Sequence, residues 1–185
     1  MFLDLIKTRR STRKFSEKPI EKEKITTLIE AALRSFSSRG INPWQFIVID
    51  DKNILEKLSK SKPHGSSFLK GAMLGIAVCA DVSQCDVWVE DASIASAFIH
   101  LAAHDLGLGS CWIQIRQREH DSSNSADTYV KGVLKIPDNL PGNLPGNLTV
   151  ESIIAIGYPD EIKKGHSKDS LQFDKVSFNA YGQKN

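Results

Sequence analysis

The sequence contains few cysteines, and their number and spacing argue against two kinds of structural site. Cysteine occurs three times in 185 residues, at positions 79, 85 and 111. The number is odd and no two cysteines form a CxxC pair, so we expect neither a disulfide framework nor a bound metal. Thiols that stay reduced are typical of cytoplasmic proteins, and we therefore expect a cytoplasmic location.

The sequence also lacks a long apolar run and a strong excess of either charge. No window approaches the roughly 18 apolar residues that a membrane-spanning helix needs. The short amphipathic N-terminus is followed at once by charge and does not resemble a signal peptide. The formal net charge is only +2, whereas nucleic-acid-binding proteins usually carry a larger, clustered basic excess. We therefore expect neither a membrane nor a nucleic acid as a partner.

Several common nucleotide-binding and catalytic motifs are missing. Gly107-Leu108-Gly109 is not followed by the third glycine of GxGxxG, and neither GxxxxGK[ST] nor GxSxG occurs. His100 and His104 have the spacing of two metal ligands on a helix, but HExxH and a third ligand are absent. Polar positions at the edge of a packed helix are the favoured interpretation of both histidines.

Apolar periodicity and turn residues predict a mixture of helices and strands without strict alternation, which favours an α+β or α/β fold. The predicted helices span residues 2–8, 21–35, 54–60, 90–106 and 125–134, and the predicted strands span residues 45–50, 75–80, 110–115 and 149–156. Asn53 and Ser125 are expected to cap the helices that follow them. The repeat PGNLPGNL at residues 141–148 is predicted to be a turn-rich loop.

The length predicts one domain over residues 1–185, with an extended, mostly polar C-terminal arm from about residue 160 to 185. Within this domain the helix at 90–106 is apolar on nearly all sides. One stripe consists of Ile94, Ala97, Phe98, Leu101 and Ala102, and a second of Ala92, Ala95, Ile99 and Ala103. Such a helix is buried on most sides, either as a central core helix or at the interface of a dimer.

The stretch RRSTRKF at residues 9–15 is strongly basic. In an extended segment alternate residues share a face, so Arg9, Ser11 and Arg13 would point one way. Two guanidinium groups on either side of a hydroxyl form a receptor suited to a phosphate or a polyol, because arginine binds phosphate oxygens in a bidentate manner. A solvated surface remains the simpler interpretation of this run when it is considered alone.

Four motifs in order resemble the FMN-dependent nitroreductase family. They are RRSTRKF, SSRGINPWQFIVI, LGLGSCWI after an alanine-rich helix, and IIAIGYP. The resemblance extends over roughly residues 3 to 180. It implies an α+β fold with a central, mostly antiparallel sheet flanked by helices, and an intertwined homodimer with FMN bound at the interface.

The resemblance also implies which residues bind FMN. Arg9, Ser11 and Arg13, with Arg10 between them, would hold the phosphate, the ribityl chain and the pyrimidine edge. The serine loop, Ser37, Ser38, Arg39 and Gly40, would cover the flavin of the partner subunit. The segment Trp112, Ile113 and Gln114 would place a backbone N–H at flavin N5. Lys163 or Lys164 would add a contact to the phosphate, although neither matches the family's usual basic position clearly.

The function implied is an oxidoreductase in which FMN carries the chemistry, with no catalytic side chain. NADH or NADPH would reduce the flavin, and a nitroaromatic, a quinone or a related small acceptor would then oxidise it in a ping-pong scheme. A cation such as Arg13 would stabilise the negative charge that reduction places at the pyrimidine edge. Alternatives are an enone, a halogenated aromatic or free flavin as acceptor, or a non-catalytic module that binds anions.

Overall fold

A four-stranded antiparallel sheet forms the centre of the fold. The structure, a computed structural model, describes residues 1–137 and 147–184. The strands are β1 (Trp44–Ile49), β2 (Leu74–Asp81), β3 (Gly109–Gln114) and β4 (Leu148–Gly157). Their order across the sheet is β1-β2-β4-β3, so β1 and β3 are its edges. The predicted α+β class, with an antiparallel sheet flanked by helices, is confirmed.

Within the described residues, five α-helices surround the sheet, and each lies within a few residues of its predicted span. They are α1 (Phe2–Thr8), α2 (Lys22–Leu33), α3 (Lys52–Leu58), α4 (Trp88–Asp105) and α5 (Ala126–Leu134). Short 3₁₀ helices occur at Ser38–Gly40, Ser67–Gly71, Lys168–Ser170 and Phe173–Lys175. Over the two described ranges, no helix is long and apolar enough to span a membrane.

One of the two predicted helix caps is wrong. Asp51, not Asn53, caps α3, because the Asp51 carboxylate accepts hydrogen bonds from the N–H groups of Asn53 at 2.7 Å and Ile54 at 3.3 Å. The helix therefore begins at Lys52, and Asn53 itself supplies one of the donors that need an acceptor. Ser125 caps α5 as predicted, with its hydroxyl accepting from the Thr128 N–H at 3.0 Å.

The sheet is covered on both faces, which explains why its inner strands are apolar throughout. On one face, α3 and α5 pack over a cluster that includes Leu55 and Ile153. On the other face, α2 and α4 pack over a cluster that includes Leu28 and Ile154. Ile153 and Ile154 are neighbours on β4 and point to opposite faces of the sheet.

The helix α4 is only partly covered within the chain. Its buried residues include Ala92, Ala95, Ile99 and Ala103, which form one of the two predicted apolar stripes. Ala97 on the other stripe is exposed, and Phe98 and Leu101 are half-buried. One chain therefore buries one side of this helix and leaves the second apolar side accessible.

The chain after β4 runs over the surface and exposes several large apolar side chains. Ile162 is 99% exposed, Phe173 61% and Tyr181 fully exposed. These residues lie in the predicted C-terminal arm. The predicted loop PGNLPGNL falls mainly on residues 141–146, which lie outside the described ranges.

Candidate functional site

The residues that follow α1 form an extended basic segment, residues 9–15, along the outer edge of β3. Ser11 forms an isolated parallel bridge with Ser110, and the Thr12 N–H donates to the Ser110 carbonyl at 2.9 Å. Thr12 is buried against Gly109, because a Cβ on that glycine would lie 2.7 Å from the Thr12 side chain. Since Thr12 points inward, the side chains of Ser11 and Arg13 point away from it, as the predicted alternation requires.

Arg13 and Lys163 come from opposite ends of the chain and lie near the same part of β3. The Arg13 guanidinium carbon is 5.7 Å from the centre of the Phe68 ring, and Lys163 Nζ donates to the Ser11 carbonyl at 2.8 Å. Burial raises the pKa of the Cys111 thiol on β3, and the positive charges of Arg13 and Lys163 oppose that effect. The fold thus brings two predicted cofactor-binding cations together.

Arg9 and Arg10 are placed differently from Arg13. Burial, the main cause, and the positive charge of Arg9 lower the pKa of His100 on α4 to about 4, so Arg9 lies beside that helix. Arg10 donates to the backbone carbonyl of Lys164. The Lys164 side chain itself is exposed, so Lys163 is the predicted lysine whose ammonium group contacts the basic segment.

The chain that follows β4 fixes the basic segment from its outer side. The Asp160 N–H donates to the Lys14 carbonyl at 3.0 Å. The Glu161 carboxylate accepts from the Arg13 N–H at 2.6 Å and from Lys163 Nζ at 2.8 Å. These hydrogen bonds, led by that of the Arg13 N–H, lower the pKa of Glu161 to about 2. The carboxylate is therefore ionised at neutral pH.

The edge strand β3 offers backbone donors beside the basic segment. The Ser110 carbonyl points to the outer edge of the sheet, where it accepts from the segment. Backbone groups of alternate residues point to the same side of a strand, so the N–H groups of Trp112 and Gln114 also face this edge. Ile113 lies between them, and its side chain is buried.

Side chains between β3 and α4 hold the edge strand in place. The Trp112 indole N–H donates to Gln114 Oε1 at 2.9 Å, and Gln114 Nε2 donates to Glu151 Oε1 at 3.2 Å. His100 stacks on Trp112 with ring centres 6.4 Å apart, and its Nδ1 is 2.7 Å from Ser110 Oγ. The segment Trp112–Gln114 is therefore fixed by its own side chains.

The predicted serine loop, Ser37–Gly40, is fixed to the beginning of α4. The Ser38 N–H donates to the buried Asp91 carboxylate at 2.8 Å, and Arg39 forms an exposed ion pair of 2.6 Å with Asp86. The loop contains strained backbone, because Arg39 has φ +54°, a conformation that non-glycine residues rarely adopt. Such strain persists only where the surrounding structure enforces it.

The serine loop and the basic segment lie at opposite ends of α4 within one chain. Asp91 holds the loop near the start of the helix, whereas His104 near its end is 2.8 Å from Thr8, just before the basic segment. Asp91 and His104 are separated by 13 residue steps along the helix, which span about 20 Å at 1.5 Å per residue. The structure therefore does not bring the two predicted parts of the site together in a single chain.

Sequence reasoning missed three residues near the basic segment, namely Phe68, Glu161 and Lys62. Burial, followed by the positive charge of Arg118, lowers the pKa of Lys62. Cys111 on β3 is close enough to act on this pKa in the opposite direction. Lys62 thus adds a cation on the same side of β3. No local pattern could have found these residues, because each lies far from residues 9–15 in sequence.

An apolar groove of about 550 Å³ lies between α1, α2 and α4, away from the basic segment. It is lined by Met1, Phe2, Leu5, Ala31, Phe98, Leu101, Ala102 and Asp105. Other large apolar side chains of α1 and α2 are exposed, among them Leu3, Ile6 and Leu33. Together with the accessible side of α4, they form an apolar face on the chain.

The known proteins that resemble this chain are named for similar activities. A sequence model of the nitroreductase family matches residues 6–63. An NADH dehydrogenase/NAD(P)H nitroreductase of Archaeoglobus fulgidus is 35% identical over 171 residues, 90% of each chain. A protein of that name from Methanothermobacter thermautotrophicus is 35% identical over 86% of this chain and 78% of its own. The solved structure of an FMN-dependent nitroreductase from Clostridium difficile is 46% identical, with a TM-score of 0.91, over 97% of this chain and 99% of that one.

Proposed function

The chain belongs to the nitroreductase family, and we propose that it is an NAD(P)H-dependent oxidoreductase that carries FMN. Its relatives that match along nearly their whole length are named for NAD(P)H and for FMN. Within this molecule, the proposal rests mainly on one observation. The basic segment is fixed on the edge of β3, where the N–H groups of Trp112 and Gln114 face the same side.

The cations and hydroxyl of this region fit the phosphate and ribityl chain of FMN. Arg9, Ser11 and Arg13 come from one extended segment, and Lys163 is held against the Ser11 carbonyl at 2.8 Å. A charged donor on phosphate forms a stronger hydrogen bond than a neutral one, and a group already held in place loses less entropy on binding. We assign three of these residues to the phosphate end and Arg13 to the ribityl chain and the pyrimidine edge, with Arg10 and Lys164 at the periphery.

The edge of β3 fits the isoalloxazine end. A backbone N–H of the segment Trp112–Gln114 would donate to the ring without covering its face, which leaves that face open to a stacked reactant. Arg13 or Lys62 would place a positive charge toward the pyrimidine edge. A fixed charge in a partly buried site needs no reorganisation when negative charge develops there.

When bound, FMN supplies the redox chemistry by accepting a hydride from the nicotinamide and passing electrons on to an acceptor. The protein's part is to bind and orient the ring and to keep its exposed face accessible to each reactant in turn. Hydride transfer requires a stacked donor within roughly 3 to 3.5 Å of the acceptor atom. No side chain is assigned as nucleophile or general base, because positioning and charge account for the residues present.

We further propose that the active unit is a homodimer in which the serine loop of one chain covers the cofactor of the other. The apolar groove beside α4 and the exposed side chains around it form a face that a second copy would cover. Asp91, which holds the serine loop, and His104, which contacts Thr8 before the basic segment, are about 20 Å apart along α4, and this separation has the same consequence. We therefore propose that Ser37–Gly40 contributes to the cofactor site of the partner chain and not to the site of its own chain.

We propose that the chain forms a single domain whose segment from about residue 160 extends over the partner. Ile162, Phe173 and Tyr181 would be covered in that arrangement, since all three are exposed in one chain. The three cysteines are buried and free, a state suited to a reducing compartment. We therefore also propose a cytoplasmic location.

The proposed acceptors are nitroaromatics, quinones and related flat molecules that can stack on the flavin. Enones, halogenated aromatics and free flavin share that property, and a fold does not select among them. Steady-state turnover against one compound of each class, with NADH and with NADPH, would rank acceptors and donors.

The absorbance spectrum of the purified protein tests the proposal. We expect flavin absorption bands in the near-ultraviolet and visible regions and release of FMN on denaturation. The visible absorbance should be bleached when NADH or NADPH is added without oxygen. Protein that is colourless and stays so after incubation with FMN would contradict the proposal. Steeply salt-dependent binding to polyanions without NAD(P)H oxidation would instead indicate an anion-binding module.

A further inference from the structure

A carboxylate lies in the middle of the basic cluster. Glu161 Oε1 accepts hydrogen bonds from the Arg13 N–H at 2.6 Å, the Lys14 N–H at 3.3 Å and Lys163 Nζ at 2.8 Å. Its side chain is only 18% exposed. Among the cations of this region, one acidic group thus contacts both the backbone of the basic segment and a lysine from the other end of the sequence.

Glu161 determines where the Lys163 ammonium group lies. Lysine has three N–H donors on a flexible stem, and two of those donors reach Glu161 Oε1 and the Ser11 carbonyl, each at 2.8 Å. The lysine is thereby fixed beside Ser11, with one donor left for a further acceptor. Without the carboxylate, only the bond to the Ser11 carbonyl would oppose the rotamer freedom of this side chain.

Glu161 also fixes the backbone from which the Arg13 side chain extends. Two consecutive N–H groups, those of Arg13 and Lys14, converge on one carboxylate oxygen. Such paired backbone donors bind anions, and here the anion belongs to the protein. These two backbone donors are therefore already satisfied, and the side chains of the segment remain for an external anion.

We propose that Glu161 is a positioning residue that holds Lys163 beside Ser11, so that the two form part of the receptor for the phosphate group of the flavin. This inference rests on the proposed function, because it assumes that the basic segment binds FMN. It goes further in assigning the preference for the phosphorylated flavin to a residue that carries the same sign of charge as the phosphate. Glu161 repels a phosphate through space, but it holds the Lys163 ammonium group beside Ser11, where the phosphate can meet both.

The preference for FMN over riboflavin measures this role directly. The two ligands differ only in the phosphate, so a loosened fold weakens the binding of both, whereas a displaced Lys163 weakens that of FMN alone. Dissociation constants for both would be measured on the apoprotein by quenching of flavin fluorescence. We expect Glu161→Gln to lower the ratio of riboflavin to FMN dissociation constants about tenfold, which is the scale of one charge-assisted hydrogen bond.

Two further variants separate position from charge. Glu161→Asp keeps the charge but shortens the reach by one methylene, so we expect a smaller loss of the FMN preference. Lys163→Met should lower the preference in the wild-type background and have little further effect in the Glu161→Gln background, because the lysine is already displaced there. Asp160→Asn is the matched control, since only its backbone N–H contacts the basic segment, and it should retain the wild-type ratio.

An unchanged or increased preference for FMN in Glu161→Gln would overturn the inference, as would an equal loss of affinity for both flavins. If Glu161→Gln does not fold, the Glu161→Asp ratio decides, and a wild-type value there overturns it as well. A wild-type protein that binds neither flavin would instead contradict the proposed function.

Discussion

The two ends of α4 differ in how much of the proposed site a single chain assembles. At its C-terminal end, the basic segment, the edge of β3 and the chain after β4 come together with Arg13, Lys163 and Glu161 in contact. At its N-terminal end, the serine loop is firmly held by Asp91, which lies about 20 Å along the helix from His104, the residue that contacts Thr8, at 1.5 Å of rise per residue.

The difference shows how one helix can serve two sites. If two copies pack through α4 in antiparallel fashion, the loop at the start of one helix comes close to the cations at the end of the other. The uncovered side of α4, with Phe98 and Leu101, is the surface on which that packing would occur. Each of the following predictions changes one end of the helix or the surface between them.

The largest effect is expected from a charge placed on the apolar face. Leu101→Asp should raise the dissociation constant of the dimer at least about a hundredfold, because a large apolar side chain is lost in each of two copies at about 1.5–3 kcal/mol each. Sedimentation velocity over a concentration series would measure this. Thr26→Asp on an exposed, polar position of α2 is the control and should not change assembly. A Leu101→Asp protein that stays as dimeric as the wild type would argue against this face.

At the C-terminal end, removal of an arginine should weaken FMN binding. Arg9→Ala and Arg13→Ala should each cost about 1.5–3 kcal/mol, the contribution of a hydrogen bond to a charged group, which corresponds to roughly ten- to a hundredfold in affinity. Lys14→Ala should change little, because the Lys14 side chain lies on the other side of the extended segment. Titration of the apoproteins with FMN gives the three values. Equal losses for all three would indicate a nonspecific basic patch.

At the N-terminal end of α4, two carboxylates contact the serine loop, and we expect them to contribute differently to the free energy of unfolding. Asp91→Ala leaves the Ser38 N–H without its acceptor in a partly buried place and should destabilise the fold by about 1–3 kcal/mol. Asp86→Ala removes only an exposed ion pair with Arg39 and should cost about 1 kcal/mol or less. Urea unfolding of both variants makes the comparison. The reverse order would show that the exposed ion pair, not the buried carboxylate, holds the loop.

The smallest effect concerns pH and His100, near the C-terminal end of α4. Its pKa is about 4 in the folded chain against 6.5 as the reference value, so the unfolded chain takes up the proton first as the pH falls. The stability from neutral His100 is complete above pH 6.5 and is lost as the pH falls toward 4. Between pH 6.5 and 5, we expect a loss on the order of 1 to 2 kcal/mol.

Urea unfolding across that pH window, for the wild type and for His100→Asn, would measure the loss. The variant should lose less stability than the wild type. Glu21 and Glu161, whose pKa values are lowered to about 2, add a separate loss only below about pH 4.5 and so stay outside the window. Equal slopes for the two proteins would contradict the assignment to His100.

Sequence patterns predicted most of the fold because the relevant forces are local or periodic. Apolar spacing and capping residues located the α-helices and strands of the described ranges to within a few residues, and the RRSTRKF alternation placed Thr12 opposite Ser11 and Arg13. The cap of α3 was predicted wrongly as Asn53, whereas Asp51, two residues earlier, accepts the N–H groups of Asn53 and Ile54.

Contacts between distant residues could not be predicted in the same way. Glu161 is 148 residues from Arg13 in sequence, and nothing in GYPDE indicates that its glutamate faces a basic segment. The choice between Lys163 and Lys164 also depended on the path of the chain after β4. The resemblance to the family implied that the serine loop covers the flavin of the partner subunit, and the separation of that loop from the basic segment along α4 agrees with this proposal.

A mixed dimer tests most directly whether the site is shared between chains. One tagged chain would carry Arg13→Ala, and the other would carry Ser38→Asp with Arg39→Asp, two changes that place negative charge on the serine loop. If each site takes its basic segment from one chain and its serine loop from the other, the mixed dimer contains one site with both defects and one with neither. We predict one FMN per mixed dimer, bound with wild-type affinity. Two weakened sites and no wild-type site would contradict the account, because each chain would then build its site alone.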